Sequence, residues 1–124
     1  MRIEIDQSGK IADTQVPTVL AFSNGVTHSI FISQITKRRL IKTLRSQTSS
    51  RVLYFQIFSL LIFFLLQNHL KKIQMVFIDE EYEGREGELK GYFLDICLKN
   101  KVKINPKIIH FSQIEKDRMR IKQL

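Results

Sequence analysis

The chain has one cysteine among 124 residues, so it holds neither an internal disulfide nor a cysteine-based zinc site. A lone thiol, Cys97, fits a reducing, cytoplasmic setting. No signal peptide is read at the start, because the first residues already pattern as a strand. Neither glycine nor proline occurs from Ile35 to Lys72, so that span lacks the two residues that break helices most strongly. Acidic residues are missing from Thr14 through Ile78. Two catalytic signatures are also missing. There is no Gly-x-Ser-x-Gly nucleophile elbow, and Ser8-Gly9-Lys10 is too short for a phosphate-binding P-loop. His28, His69 and His110 show no ligand spacing, and His28 and His110, which lie in predicted strands, are read as structural. Repeats and low-complexity linkers are absent.

What is present is basic charge, and it is segregated. The net charge is +8 with a pI near 9.8, which favours a polyanionic partner, nucleic acid or an anionic membrane surface. The acid-free span carries Lys37, Arg38, Arg39, Lys42, Arg45, Arg51, Lys71 and Lys72. The acids gather at the N-terminus, from Asp79 to Glu88, and at Asp95, Glu115 and Asp117. One region suits gripping phosphate and the other suits gripping a cation. The length points to a single domain, 1–124.

Alternation predicts strands over Arg2–Asp6, Pro17–Ser23 and Thr27–Ser33, with Asn24-Gly25 as a tight hairpin turn. Leu40, Ile41 and Leu44 have helical spacing, and the polar run Ser46–Ser50 interrupts or bends the helix that follows. Val52–Leu66 is almost wholly apolar, broken only by Gln56 and Ser59. Fifteen residues fall short of the roughly 20 that span a bilayer, so no stable membrane insertion is expected. Tyr54, Phe55, Phe58, Phe63 and Phe64 read as core. Because helical spacing spreads apolar residues around the axis, the outward side needs cover, and a homodimer would supply it. Gln74–Ile78 reads as a buried strand, Glu83–Asn100 as an amphipathic helix, Asn105-Pro106 as a loop and Lys107–Ser112 as a last strand. A short terminal helix is expected from Gln113.

Two runs finish in a carboxylate: Ile3-Glu4-Ile5-Asp6-Gln7-Ser8-Gly9 and Phe77-Ile78-Asp79-Glu80-Glu81-Tyr82. Together with the order of three antiparallel strands, then helix, strand, helix and strand, they resemble the ribonuclease H-like superfamily, closest in type to RuvC-like Holliday junction resolvases. The resemblance covers residues 1 to about 118. It implies an α/β fold with a mixed five-stranded sheet flanked by helices, and a site at Asp6 and Asp79. Mg²⁺ or Mn²⁺ would be the cofactor, since hard cations prefer oxygen ligands. Glu80, Glu81 and Asp117 are further acidic candidates. Lys37, Arg38, Arg39, Lys42, Arg45, Lys116 and Arg118 are candidate nucleic-acid contacts.

The expected activity is therefore metal-dependent endonucleolytic hydrolysis of structured nucleic acid, branched or duplex DNA, by a homodimer. Ribonuclease H proper carries a glutamate on its first helix, which this chain lacks, and the terminal helix is short or truncated. These departures keep two alternatives open: a catalytically inactive nucleic-acid-binding or regulatory module, and a small membrane-associated protein.

Overall fold

The computed structural model describes residues 1–79 and 84–112, with the side chain of Ser50 left out. The elements are β1 (Arg2–Ser8), β2 (Thr18–Ser23), β3 (Thr27–Ile32), α1 (Gln34–Leu44), α2 (Ser50–Leu66), β4 (Met75–Asp79), α3 (Glu86–Lys99) and β5 (Ile109–Ser112), the last preceded by one 3₁₀ turn at Pro106–Ile108. The sheet runs β3-β2-β1-β4-β5. β2 pairs antiparallel with both β1 and β3, and β4 and β5 add on parallel beside β1. The chain is thus α/β with a mixed five-stranded sheet.

Local chemistry explains the boundaries. Gly25 has φ +98° between β2 and β3, a value glycine adopts without strain. Gly9 has φ +79° just after β1, and a Cβ there would lie 2.0 Å from the Pro17 carbonyl oxygen. Only glycine fits where the β1–β2 loop closes on itself. The polar run after α1 separates two helices: Ser33 caps the first by accepting from Thr36 N, and Ser49 caps the second by accepting from Val52 N. The amphipathic helix expected from Glu83 starts at Glu86 and ends at Lys99, with two acids in its first turn and a lysine in its last, as the helix dipole favours.

One face of the sheet is the core. Ile3, Ile5, Leu20, Phe22, Val76, Ile78 and Ile109 are buried there with the apolar residues of the helices. α2 packs on β2 and β3 and most closely on α3. Ser59, one of its two polar interruptions, donates to Leu89 O at 3.3 Å and ties α2 to α3 from inside. The other, Gln56, faces outward beside Leu60 and Phe64 at 37% and 46% exposure. Its own sheet and α3 cover all but that stripe, and Phe58 and Leu61 are buried within the chain, so the outward apolar surface expected to need a partner narrows to Leu60 and Phe64. No helix among the described residues is long and apolar enough to cross a membrane.

The terminal helix expected from Gln113 lies outside the described residues.

Candidate functional site

Alternation sends the even-numbered side chains of β1 to the face opposite the core, because Ile3 and Ile5 are buried. Asp6 pairs with Ala21, and Ala21 pairs with Ser29. On the other side, β1 and β4 run in parallel register through Ile5–Ile78. The next residue on each strand is Asp6 and Asp79, and Asp79 pairs with Ser112 of β5. The two aspartates therefore stand at one level on adjoining strands, whose spacing is about 4.8 Å. They share the open face at the carboxyl ends of β1 and β4. Asp6 is exposed and Asp79 is half-buried.

One residue pair below them on the same face lie Glu4 and Phe77, with His110 beside Phe77. Arg2 reaches Glu4 at 3.8 Å and places its guanidinium 4.4 Å from the Phe77 ring centre. Phe77 and His110 stack, with centroids 5.1 Å apart and planes 23° apart. Arg2, Glu4, Asp6 and Ser23 line a hollow of about 280 Å³. Sequence reasoning placed Glu4 on the Asp6 face but missed Arg2, Phe77, His110 and Ser23. The face of each was legible from alternation, but their neighbours required the register.

An all-oxygen donor set of Asp6, Asp79 and nearby Glu4 suits a hard cation. Mg²⁺ commonly takes one or two carboxylates and leaves its other positions to water and substrate phosphate. The residues present fit that pattern. Among the described residues, no three His, Cys, Asp or Glu converge as a ready metal cluster. Burial pushes the Cys97 thiol up from its ordinary value of 9.0, so it stays protonated and is no nucleophile.

The basic candidates separate. Lys37 is wholly buried at 0% exposure. Its ammonium donates to Lys10 O at 3.1 Å, Asp13 O at 2.6 Å and Thr18 Oγ1 at 3.0 Å. It is therefore withdrawn as a nucleic-acid contact: its helix turn faces inward and its charge is spent on the β1–β2 loop. Arg38 is exposed but donates through Nε to Thr14 O at 3.0 Å, which holds it to the same loop. Arg39 and Lys42 are exposed on α1 and Arg45 at its C-cap. Glu80, Glu81, Lys116, Asp117 and Arg118 lie outside the described residues.

His28, read from the sequence as structural, meets His69 in a ring cluster with Phe22. The two imidazole centroids are 4.5 Å apart.

No family model matches the chain, and neither a curated protein nor a solved structure matches it.

Proposed function

We propose that this chain is a metal-dependent nuclease of ribonuclease H-like architecture, closest in type to RuvC-like Holliday junction resolvases, acting on structured nucleic acid. The observation that carries the reading is the shared level and shared face of Asp6 and Asp79. The strand sequence supports it too: three antiparallel strands, then two parallel additions beside β1. Asp6 and Asp79 would hold Mg²⁺ or Mn²⁺, which would supply activation of water and charge stabilisation at the scissile phosphate. Arg39, Lys42 and Arg45 attract the phosphate backbone. The remaining apolar stripe, Leu60 and Phe64, serves a twofold partner.

A second reading, a non-catalytic binding module on the same fold, is favoured by the lack of a third converging ligand among the described residues. Calorimetric titration with Mn²⁺ separates the two, run beside cleavage of a four-way junction and a plain duplex. The nuclease reading expects Mn²⁺ binding and cleavage that Asp6→Asn and Asp79→Asn each abolish without lowering the melting temperature. Cleavage that survives both substitutions removes the site. A chain that binds junctions but no Mn²⁺ is the binding module.

A further inference from the structure

We propose that the open sheet face is a platform for single-stranded nucleic acid, with bases stacking on Phe31 and on the Arg2–Phe77–His110 group either side of the carboxylate row. This deepens the nuclease reading by naming which part of a structured substrate the sheet would hold, an unpaired segment beside the duplex arms, and rests on that reading only for the role of the cation.

The composition of the face favours this occupant. Register and alternation put Ser8, Ser23, Thr27, Ser29 and Ser112 on it, all small hydroxyl residues. Among the described strand residues, the only aliphatics there larger than alanine are Val19 and Met75. The opposite face of the same strands carries Ile3, Ile5, Leu20 and Ile78. A face built to receive a helix or an apolar protein partner would resemble the second, because association of that kind is driven by buried aliphatic area. This one offers hydroxyls for hydrogen bonding and rings for stacking.

The rings bracket the acids. Phe31 pairs with Val19, which pairs with Ser8, so Phe31 lies one row beyond Asp6 toward the end of β1. At 61% exposure it is among the most exposed large apolar side chains described. Phe77 lies one row on the other side, already held between contacts from Arg2 and His110. Between them is the hollow lined by Arg2, Glu4, Asp6 and Ser23. Aromatic residues on an open sheet are how several small folds hold unpaired bases, since every base has a π-face. A duplex hides those faces in its own stack. Among the described residues, no helix rises from this side to enter a groove.

Charge adds a condition. The chain's +8 draws a polyanion in, but Glu4, Asp6 and Asp79 at the centre of the platform repel its phosphates. A divalent cation over the aspartates reverses that local sign. Strand binding on this face therefore depends on a divalent ion.

The test uses the full chain and a labelled oligonucleotide of about a dozen nucleotides, single-stranded or as its duplex, in Ca²⁺ or in EDTA. Tighter binding of the single strand in Ca²⁺ is expected, with the preference lost in EDTA. Phe31→Ala should weaken single-strand binding by about fivefold to a hundredfold while leaving duplex binding and the melting temperature unchanged, and Phe31→Tyr should restore it. Combining Asp6→Asn with Asp79→Asn should let the single strand bind in EDTA. Equal binding of both strand states, no binding of either, or an unaffected Phe31→Ala overturns the platform. Strand-selective binding without Mn²⁺-dependent cleavage removes the nuclease reading and keeps the platform. Cleavage without strand selectivity does the reverse.

Discussion

Replacing Lys37 by methionine keeps a side chain of similar length and removes the ammonium. Three oxygens lose a donor: Lys10 O, Asp13 O and Thr18 Oγ1. A hydrogen bond from a charged donor contributes about 1.5–3 kcal/mol, so the gross loss is about 4.5–9 kcal/mol. Two terms offset it. The ammonium no longer has to be desolvated, which relieves several kcal/mol, and water can reach the two loop carbonyls, whose contacts with Lys37 are only part-buried. Thr18 Oγ1 is buried and has no such replacement. The net destabilisation is about 2–4 kcal/mol. With an unfolding entropy of about 2.1 cal/mol/K per residue, that lowers the melting temperature by roughly 8–15 °C.

Thermal and urea denaturation followed by circular dichroism measure this directly. Limited proteolysis should show the segment between Lys10 and Pro17 becoming the first site of cleavage. A melting temperature within about 2 °C of the parent would refute the view that this lysine clamps the loop. The same variant tests its removal from the binding surface. A buried Lys37 predicts an unchanged salt dependence of nucleic-acid affinity, and a flatter dependence would return it to the list of phosphate contacts.

Gly9→Ala should cost several kcal/mol, since φ +79° and a Cβ at 2.0 Å from Pro17 O combine strain with a backbone collision. Failure to lower the urea midpoint would mean the loop closes differently. Substituting Arg39, Lys42 or Arg45 singly by glutamine should flatten the slope of log affinity against log salt by about one unit each at most, with no change in melting. An unchanged slope in all three places the phosphate path elsewhere. Leu60→Glu and Phe64→Glu face outward and should convert a dimer to a folded monomer by light scattering. A parent that is already monomeric removes the dimer reading.

How much of this was legible beforehand differs from residue to residue. Asn24-Gly25 was readable as a turn because positive φ is a local demand. The Ser46–Ser50 break was readable because a serine cap is local too. Lys37 misled because a lysine ahead of Arg38 and Arg39 looks like a solvated charge run. Its spacing held a signal: Lys37, Ile41 and Leu44 are four and three residues apart, so the lysine sits on the inward stripe of α1. The covering of α2 was not readable, because it depends on α3 docking through Leu89 and Phe93 from thirty residues away. Asp6 and Asp79 were legible as strand ends, but their common level came from the Ile5–Ile78 register. The ring stack on the open face joins β1, β4 and β5, which no single segment encodes.

The two charged regions lie on different sides of the sheet. The carboxylates occupy the open face, whereas α1 belongs to the helical side with Ile41 in the core. They are joined at the end of the sheet where β1 finishes, β2 begins and Ser33 caps α1, since Thr18 pairs with Ile32. A nucleic-acid strand passing over that end, across the loop from Gly9 to Pro17, would touch both Asp6 and the basic helix. Three groups hold this loop: Gly9 O accepts from Gln7 and Thr18, Lys37 grips it from below, and Arg38 binds Thr14 O. Its rigidity therefore fixes the separation between the basic helix and the carboxylate pair. A loop loosened by Lys37→Met would let that separation vary even at temperatures where the sheet stays folded. Cleavage should then fall while affinity for the strand is kept, the signature of lost positioning rather than lost contact. If affinity and cleavage fall in proportion, the loop is a contact surface and not a spacer.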